Sequence, residues 1–362
     1  MDNDTPCSIW IALTEELQNH GSSRVPPVRV SGVVWALPLS LLRHDRMARW
    51  RGVTELNLVG YHHADCLGSL SLPPNLKSLE LNIWIFEPFP NWLWPASLQR
   101  LELFGFQGSI VGAVWPRALR QLLLGAAFDQ SLAGVAWPAS VQHLSLGYCL
   151  HDYVVMESHT ATMLKYAGSF NQPIVEVVWP ASLRSLNFGY RFNQPVVGVV
   201  WPASLLSLCF GYRFNQPVVG VGWPASLQRL YLGFAFNQPI AGVTWPASLQ
   251  QLSLGYEFNQ PVDGVVWPAS LRRLEFGERF NQPIAGVCIW PPRLQHVQFG
   301  SAFDYPLSGV LWPASLVRVD RGQKPTRHDE QQTPYCEFIK VLIICSRVSG
   351  TRCRTKGSSL AF

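Results

Sequence analysis

Trp-Pro recurs at residues 94, 115, 137, 179, 201, 223, 245, 267, 290 and 312 of this 362-residue chain. Successive gaps are 21, 22, 42, 22, 22, 22, 22, 23 and 22 residues. A fixed period of this size is the mark of a solenoid, in which each unit contacts only its neighbours. The full unit reads W-P-A-S-L-x-x-L-x-L-G-x-x-F-N-Q-P-[IV]-x-G-V-x, as in FNQPVVGVVWPASL at 192–205. Leu72-Pro73 opens a further unit, and 49–71 reads as a worn first coil. The gap of 42 reads as hiding one more unit, with Ala161, Leu164 and Tyr166 in apolar slots. That makes about twelve coils and the start of another at Trp312.

The unit leaves no room for a helix. Gly and Pro interrupt it at four points, so no window approaches the ~10 residues of an ordinary helix. Val, Ile and Phe fill the intervals and favour extended chain. L-x-x-L-x-L, as in Leu205, Leu208 and Phe210, supplies the alternation of a short half-buried strand. The expected fold is therefore a repeat solenoid, a right-handed coil of short parallel strands with little helix in its body. One such coil cannot bury enough apolar surface to stand alone, which is why it is repeated.

Three regions follow. Residues 1–48 are expected to cap the first coil, with IWIALTEELQ (9–18) and SLLRHDRMARW (40–50) as candidate short helices. Residues 49–316 form the solenoid. Residues 317–362 form a basic tail, flexible or in part a C-terminal cap, with FIKVLIIC (338–345) as a candidate edge strand. The tail's nine Lys/Arg against four Asp/Glu account for the whole net charge of +5. A broad basic face for nucleic acid is therefore not indicated.

Other function classes find little footing. The eight cysteines show no CxxC spacing and do not recur with the repeat, as a zinc site or disulfide ladder requires. His62, His63, Asp65 and Cys66 are metal-ligand types close together, but no second half-site is visible. No GxSxG, Walker or Rossmann pattern appears, so no enzyme and no cofactor is expected. An acidic N-terminus and no apolar run near ~20 residues argue for a soluble, cytoplasmic protein without membrane contact.

The unit W-P-A-S-L-x-x-L-x-L-G-x-x-F-N-Q-P-I resembles the FNIP repeat, a relative of the leucine-rich repeat, over about residues 72–316. Phe-Asn-Gln-Pro occurs in six coils, and Trp stands where the family mostly has Ile or Leu, which implies a partly buried corner column of tryptophans. The resemblance implies a curved, leucine-rich-repeat-like scaffold for protein–protein contact, without enzymatic activity. Some family members carry an F-box and serve as ubiquitin-ligase adaptors. WALPLSLLRH (35–44) is similar to the L-P-x-x-L-L opening of that module.

Slots that stay constant from coil to coil build the fold, and slots that vary are free to recognise a partner. Asn171, Asn193, Asn215, Asn237, Asn259 and Asn281 are expected to form a structural ladder satisfying backbone groups at one corner. Phe192, Phe214, Phe236, Phe258 and Phe280 read as a buried spine. The variable slots are the three x positions of L-x-x-L-x-L, read as lining the inner sheet surface. They give the partner-binding candidates Gln99, Arg100, Arg120, Gln121, Arg184, Gln228, Arg229, Tyr231, Gln250, Gln251, Arg272, Arg273, Gln295 and His296. Arg presents a rigid fork of donors to carboxylates, and Arg and Tyr are enriched in interface hot spots. The expected partner is a protein. Nucleic acid is disfavoured because Glu102, Glu275 and Asp320 interrupt the stripe. Glycan or nucleic-acid recognition remains an alternative if the Trp column, or the column Tyr190, Tyr212, Phe234 and Tyr256, is exposed.

Overall fold

Each L-x-L alternation of the repeat forms a short strand, and the strands stack in chain order. The computed structural model describes residues 8–11, 28–38, 53–60, 72–86, 93–147, 168–286 and 289–322. Five strands are β1 (Ser8–Ile11), β2 (Val28–Pro38), β3 (Val53–Gly60), β4 (Ser78–Ile85) and β5 (Arg100–Phe106). Next come β6 (Gln121–Leu124), β7 (His143–Ser145), β8 (Ser185–Asn187), β9 (Ser207–Cys209) and β10 (Arg229–Tyr231). The last four are β11 (Gln251–Ser253), β12 (Arg273–Glu275), β13 (His296–Phe299) and β14 (Arg318–Arg321). All fourteen lie in one sheet in sequence order. β1 runs antiparallel to β2, and β2 runs parallel to β3, as does every later neighbour pair. The described residues contain no helix.

One coil shows how the sequence closes its turn. β9 is followed by Gly211 at φ 89°, a conformation that favours glycine. A Cβ there would lie 1.5 Å from the Gly189 carbonyl oxygen of the preceding coil, so no other residue fits. The chain then buries Phe214 and returns through Pro217. In the preceding coil a turn at Val196–Val199 places Gly198 at positive φ, and the Val199 N–H donates to the Val196 carbonyl. A second turn follows, with the Leu205 N–H donating to the Pro202 carbonyl. Between these turns Val196 and Val199 point inward and Val197 and Val200 outward.

The interior is a stack of identical rows. The Phe128, Phe170, Phe192, Phe214, Phe236, Phe258, Phe280 and Phe303 rings stack with centroids 5.9–6.2 Å apart. The six asparagines stand in one file. The Asn193 N–H donates to Asn171 Oδ1 at 2.8 Å, and Asn215, Asn237, Asn259 and Asn281 each repeat this at 2.9 Å. Asp129 starts the file by accepting from the Asn171 N–H at 2.8 Å, and the Asp304 N–H ends it on Asn281 Oδ1 at 3.1 Å. The Ser of W-P-A-S forms a second file: Ser226, Ser248 and Ser270 donate to the carbonyls of Leu205, Leu227 and Leu249. Sequence reading assigned that serine no role, although its constancy was the available signal.

The gap of 42 residues has a different cause from the expected hidden unit. β7 pairs directly with β8, His143 opposite Ser185 and Leu144 opposite Leu186. Phe128 stacks on Phe170 and Trp137 on Trp179 across the same gap. No coil stands between them. Gly168 accepts from the Arg191 N–H, as Tyr190 accepts from Arg213, so Gly168 fills the slot directly after Gly147. The stretch 148–167 is thus an insertion within one coil, and its apolar spacing imitates the repeat in sequence. Ala161, Leu164 and Tyr166 lie outside the described residues.

The N-terminal region also departs from expectation. The segment read as helix from residue 9 begins as strand β1, and 28–38 adds β2 to the front of the sheet. Trp35–Pro38 of the F-box-like stretch is extended in β2. The rest of that stretch, the candidate helix over 40–50, the 62–66 cluster and the 338–345 strand lie outside the described residues.

Candidate functional site

Parallel register turns the variable slots into columns. The second x position gives Arg100, Gln121, His143, Ser185, Ser207, Arg229, Gln251, Arg273, His296 and Arg318, each opposite the next. The third gives Glu102, Leu123, Ser145, Asn187, Cys209, Tyr231, Ser253, Glu275, Gln298 and Asp320. Both columns share one face because strand side chains alternate, and the leucines between them, such as Leu208 and Leu230, are fully buried behind.

The first x position does not belong to this face. Gln99, Arg120, Arg184, Gln228, Gln250, Arg272 and Gln295 each precede the first strand residue and form a rim column. Their carbonyls hold it there: the Gln228 oxygen accepts from both the Gln250 and Gln251 N–H groups, at 2.8 and 3.0 Å. Of the candidates, the structure therefore brings Arg100, Gln121, Arg229, Tyr231, Gln251, Arg273 and His296 together on the sheet, and sets the other seven beside it.

Charge divides these arginines into two groups. Arg100, Arg273 and Arg318 each pair with the acid two residues on in the same strand, Glu102, Glu275 and Asp320. His296 Nε2 lies 2.7 Å from Asp320, which binds both neighbours. Burial works to raise the Asp320 pKa, but the hydrogen bonds and charges of Arg318 and His296 outweigh it and hold the carboxyl below its ordinary value. Arg120, Arg184, Arg229 and Arg272 are exposed and have no ion-pair partner among the described residues. Burial, and then the charge of Arg184, lowers the pKa of His143, keeping it neutral near pH 7. Tyr231 reaches across to Gln251 at 3.5 Å.

The aromatic columns separate equally clearly. Tyr190, Tyr212, Phe234 and Tyr256 stack with centroids 4.2–4.5 Å apart at the edge of the sheet, half-buried, and the Arg213 guanidinium lies 5.6 Å from the Tyr190 ring centre. The tryptophans are not a platform. Trp179, Trp201, Trp245, Trp267 and Trp290 are buried: Trp179 and Trp201 pack edge-on against Phe188 and Phe210, Trp267 and Trp290 against Phe276, and Trp245 stacks on Trp223. Their Nε1–H groups have no acceptor among the described residues, so these five rings serve as bulk, whereas Trp94 in the same slot donates its Nε1–H to the Val114 carbonyl at 2.8 Å. The condition that Trp recognition required, exposed rings, is not met. Among the described residues no group of three or more His, Cys, Asp or Glu is placed to hold a metal ion. No helix there is long and apolar enough to cross a membrane.

Comparison with known proteins agrees with this geometry. The FNIP Repeat family model matches residues 170–213 and 236–279. No curated protein matches the chain. Among solved structures, CroV588, a novel circular LRR protein, matches at 27% identity with a TM-score of 0.50, over 75% of this chain and 43% of its own. The TLR13–ssRNA13 complex matches at 14% identity with a TM-score of 0.52, over 76% of this chain and 41% of its own. This chain thus spans less than half of either protein. With the Phe-Asn-Gln-Pro coils stacked in register and the sheet built from L-x-L strands, the chain is a leucine-rich-repeat-like solenoid that carries FNIP repeats.

Proposed function

We propose that the chain is a non-enzymatic, cytoplasmic scaffold that binds a protein partner through the inner sheet and its rim, gripping carboxylates of that partner. The observation that carries this reading is the division of the arginines. Three are neutralised within their own strands. Arg120, Arg184, Arg229 and Arg272 are exposed without a counter-ion among the described residues and flank a face of small polar groups such as Ser185, Asn187 and Ser207. A guanidinium left this way presents a bidentate site for carboxylate. Extended repeat surfaces commonly serve protein–protein contact.

Affinity capture tests the reading by comparing the intact chain with R120E/R184E/R229E/R272E. A partner held by the first and lost by the second, with unchanged circular dichroism, supports it. The same partner held equally by both removes the inner face from consideration. A ubiquitin-ligase core held by both forms would move the reading to an adaptor. A second reading rests on the stacked column Tyr190–Tyr256, whose half-exposed rings and adjacent Arg213 suit stacking on a sugar or base. Loss of binding in Y212A/Y256A, with binding kept by the arginine variant, would favour it.

A further inference from the structure

The four arginines without an ion-pair partner among the described residues are evenly placed. Arg120 belongs to the coil of β6, Arg184 to that of β8, Arg229 to β10 and Arg272 to β12, one to every second coil. Three hold the rim slot, and Arg229 lies one residue on, at the start of its strand. In the same two slots the coils between them offer Gln142 and His143, Leu206 and Ser207, and Gln250 and Gln251, with His143 neutral near pH 7. From β6 to β11 the three variable slots contain no acid. Acids return beyond that window. Glu80 and Glu102 lie opposite each other on β4 and β5, beside the rim Lys77, and Glu275 and Asp320 lie on β12 and β14. Neighbouring strands are ~4.8 Å apart, so the free positive charges repeat at about 9.6 Å and span about 29 Å.

We propose, resting on the inner-face reading, that this ladder holds an acidic peptide segment in polyproline II form, laid across the strands with a carboxylate at every third residue. Charge selects an acidic occupant, because four exposed guanidiniums face it and no acid interrupts them between β6 and β11. Repeat length selects the conformation. Polyproline II returns to one face every three residues, about 9.3 Å, and drifts about 1 Å over the four rungs. An extended strand returns every two residues, at about 6.7 Å, and is out of step at the first rung. An α-helix returns every seven residues, at about 10.5 Å, and drifts almost 3 Å over the same span. A polyproline II backbone also makes no hydrogen bonds of its own, so its carbonyls are open to donors such as Gln121, Ser185 and Gln251. Nucleic acid is the poorer match, because Tyr231 is the one aromatic ring in these slots from β6 to β12 on which a base could stack.

Fluorescence anisotropy of the labelled peptide EPPEPPEPPE titrated with the full chain tests the proposal, beside EEPPPPPPEE of the same composition. At 0.1 M salt the Debye length of about 10 Å matches one rung, and the evenly spaced peptide should bind at least about tenfold more tightly. At 0.01 M salt the Debye length of about 30 Å spans the ladder, and the preference should shrink to about twofold or less. R184Q/L206R moves one charge by a single coil without changing the net charge, and should cut the preference at least threefold with unchanged circular dichroism. R120Q/Q142R makes the same move within polar slots and should do likewise. R117Q/R293Q, on exposed arginines of the Trp-Pro turns, should keep the preference. Equal binding of the two peptides at 0.1 M salt, both lost in R120E/R184E/R229E/R272E, overturns the spacing and leaves the inner-face reading standing. A preference that this quadruple variant retains overturns both. No binding of EPPEPPEPPE at 500 µM chain, or tighter binding of a ten-nucleotide oligouridine that the quadruple variant loses, also overturns the proposal.

Discussion

Asn215 shows how much one side chain does in this array. Its Oδ1 accepts from the Asn237 N–H at 2.9 Å and from Gln238 Nε2 at 3.1 Å, joining two coils at a tight corner. Asn215→Ala orphans both donors and should cost about 1–3 kcal/mol in chemical denaturation. Asn215→Asp keeps the acceptor and should cost clearly less, because Asp129 already accepts from Asn171 and Gln172 at the head of the file. An Asp variant as damaging as Ala would contradict the ladder's mechanism. The glycines give a second contrast. Gly233→Ala would set a Cβ 1.8 Å from the Gly211 carbonyl oxygen, while Gly242→Ala enters open space, although both have positive φ. Gly242→Ala should cost roughly 1–2 kcal/mol from backbone strain alone. Gly233→Ala should cost more, as melting curves of the two would show. The asparagine file was legible in the sequence because repetition marked the slot. The burial of the tryptophans was legible through the resemblance, since the slot they fill is aliphatic in the FNIP repeat, and the packed Phe188 and Phe210 rings show the contact that buries them.

The strands explain why three variable slots became two columns and a rim. Alternation puts the second and third x positions on one face, and the first lies before the strand begins. The pattern L-x-x-L-x-L contains that distinction, but its first leucine breaks the period of two, so counting slots alone groups all three. The interruption after Gly147 misleads for a related reason: residues 148–167 are nearly one period long and carry apolar residues at plausible spacing. Pairing decides the matter, since β7 meets β8 directly and a Cβ on Gly168 would lie 2.8 Å from the Gly147 Cα. Removing 148–167 joins Gly147 to Gly168-Ser169-Phe170, which rebuilds L-G-x-x-F and restores a spacing of 22. The deleted chain should express as a folded protein melting within a few degrees of the intact one. Loss of cooperative unfolding on deletion would contradict the assignment.

At the scale of the molecule the repeat does two things with the same 22 residues. It stacks strands into one sheet without any helix among the described residues, and it sorts chemistry by face. The variable strand slots put polar groups on the inner sheet and its rim, while the return segments expose valines such as Val197 and Val200, with Glu176 and Asp263 among them. The sequence made the solenoid plain because its period and breakers allow little else. It did not distinguish the return-segment valines, of which Val199 is buried beside exposed Val200. Hydroxyl-radical footprinting of the chain, free and bound to a captured partner, tests the inner-face account most directly. Protection of Tyr231, Leu206 and His143, with Val200 and Val266 unchanged, is the predicted result. Protection confined to the outer valines or to the Tyr190–Tyr256 edge would contradict it.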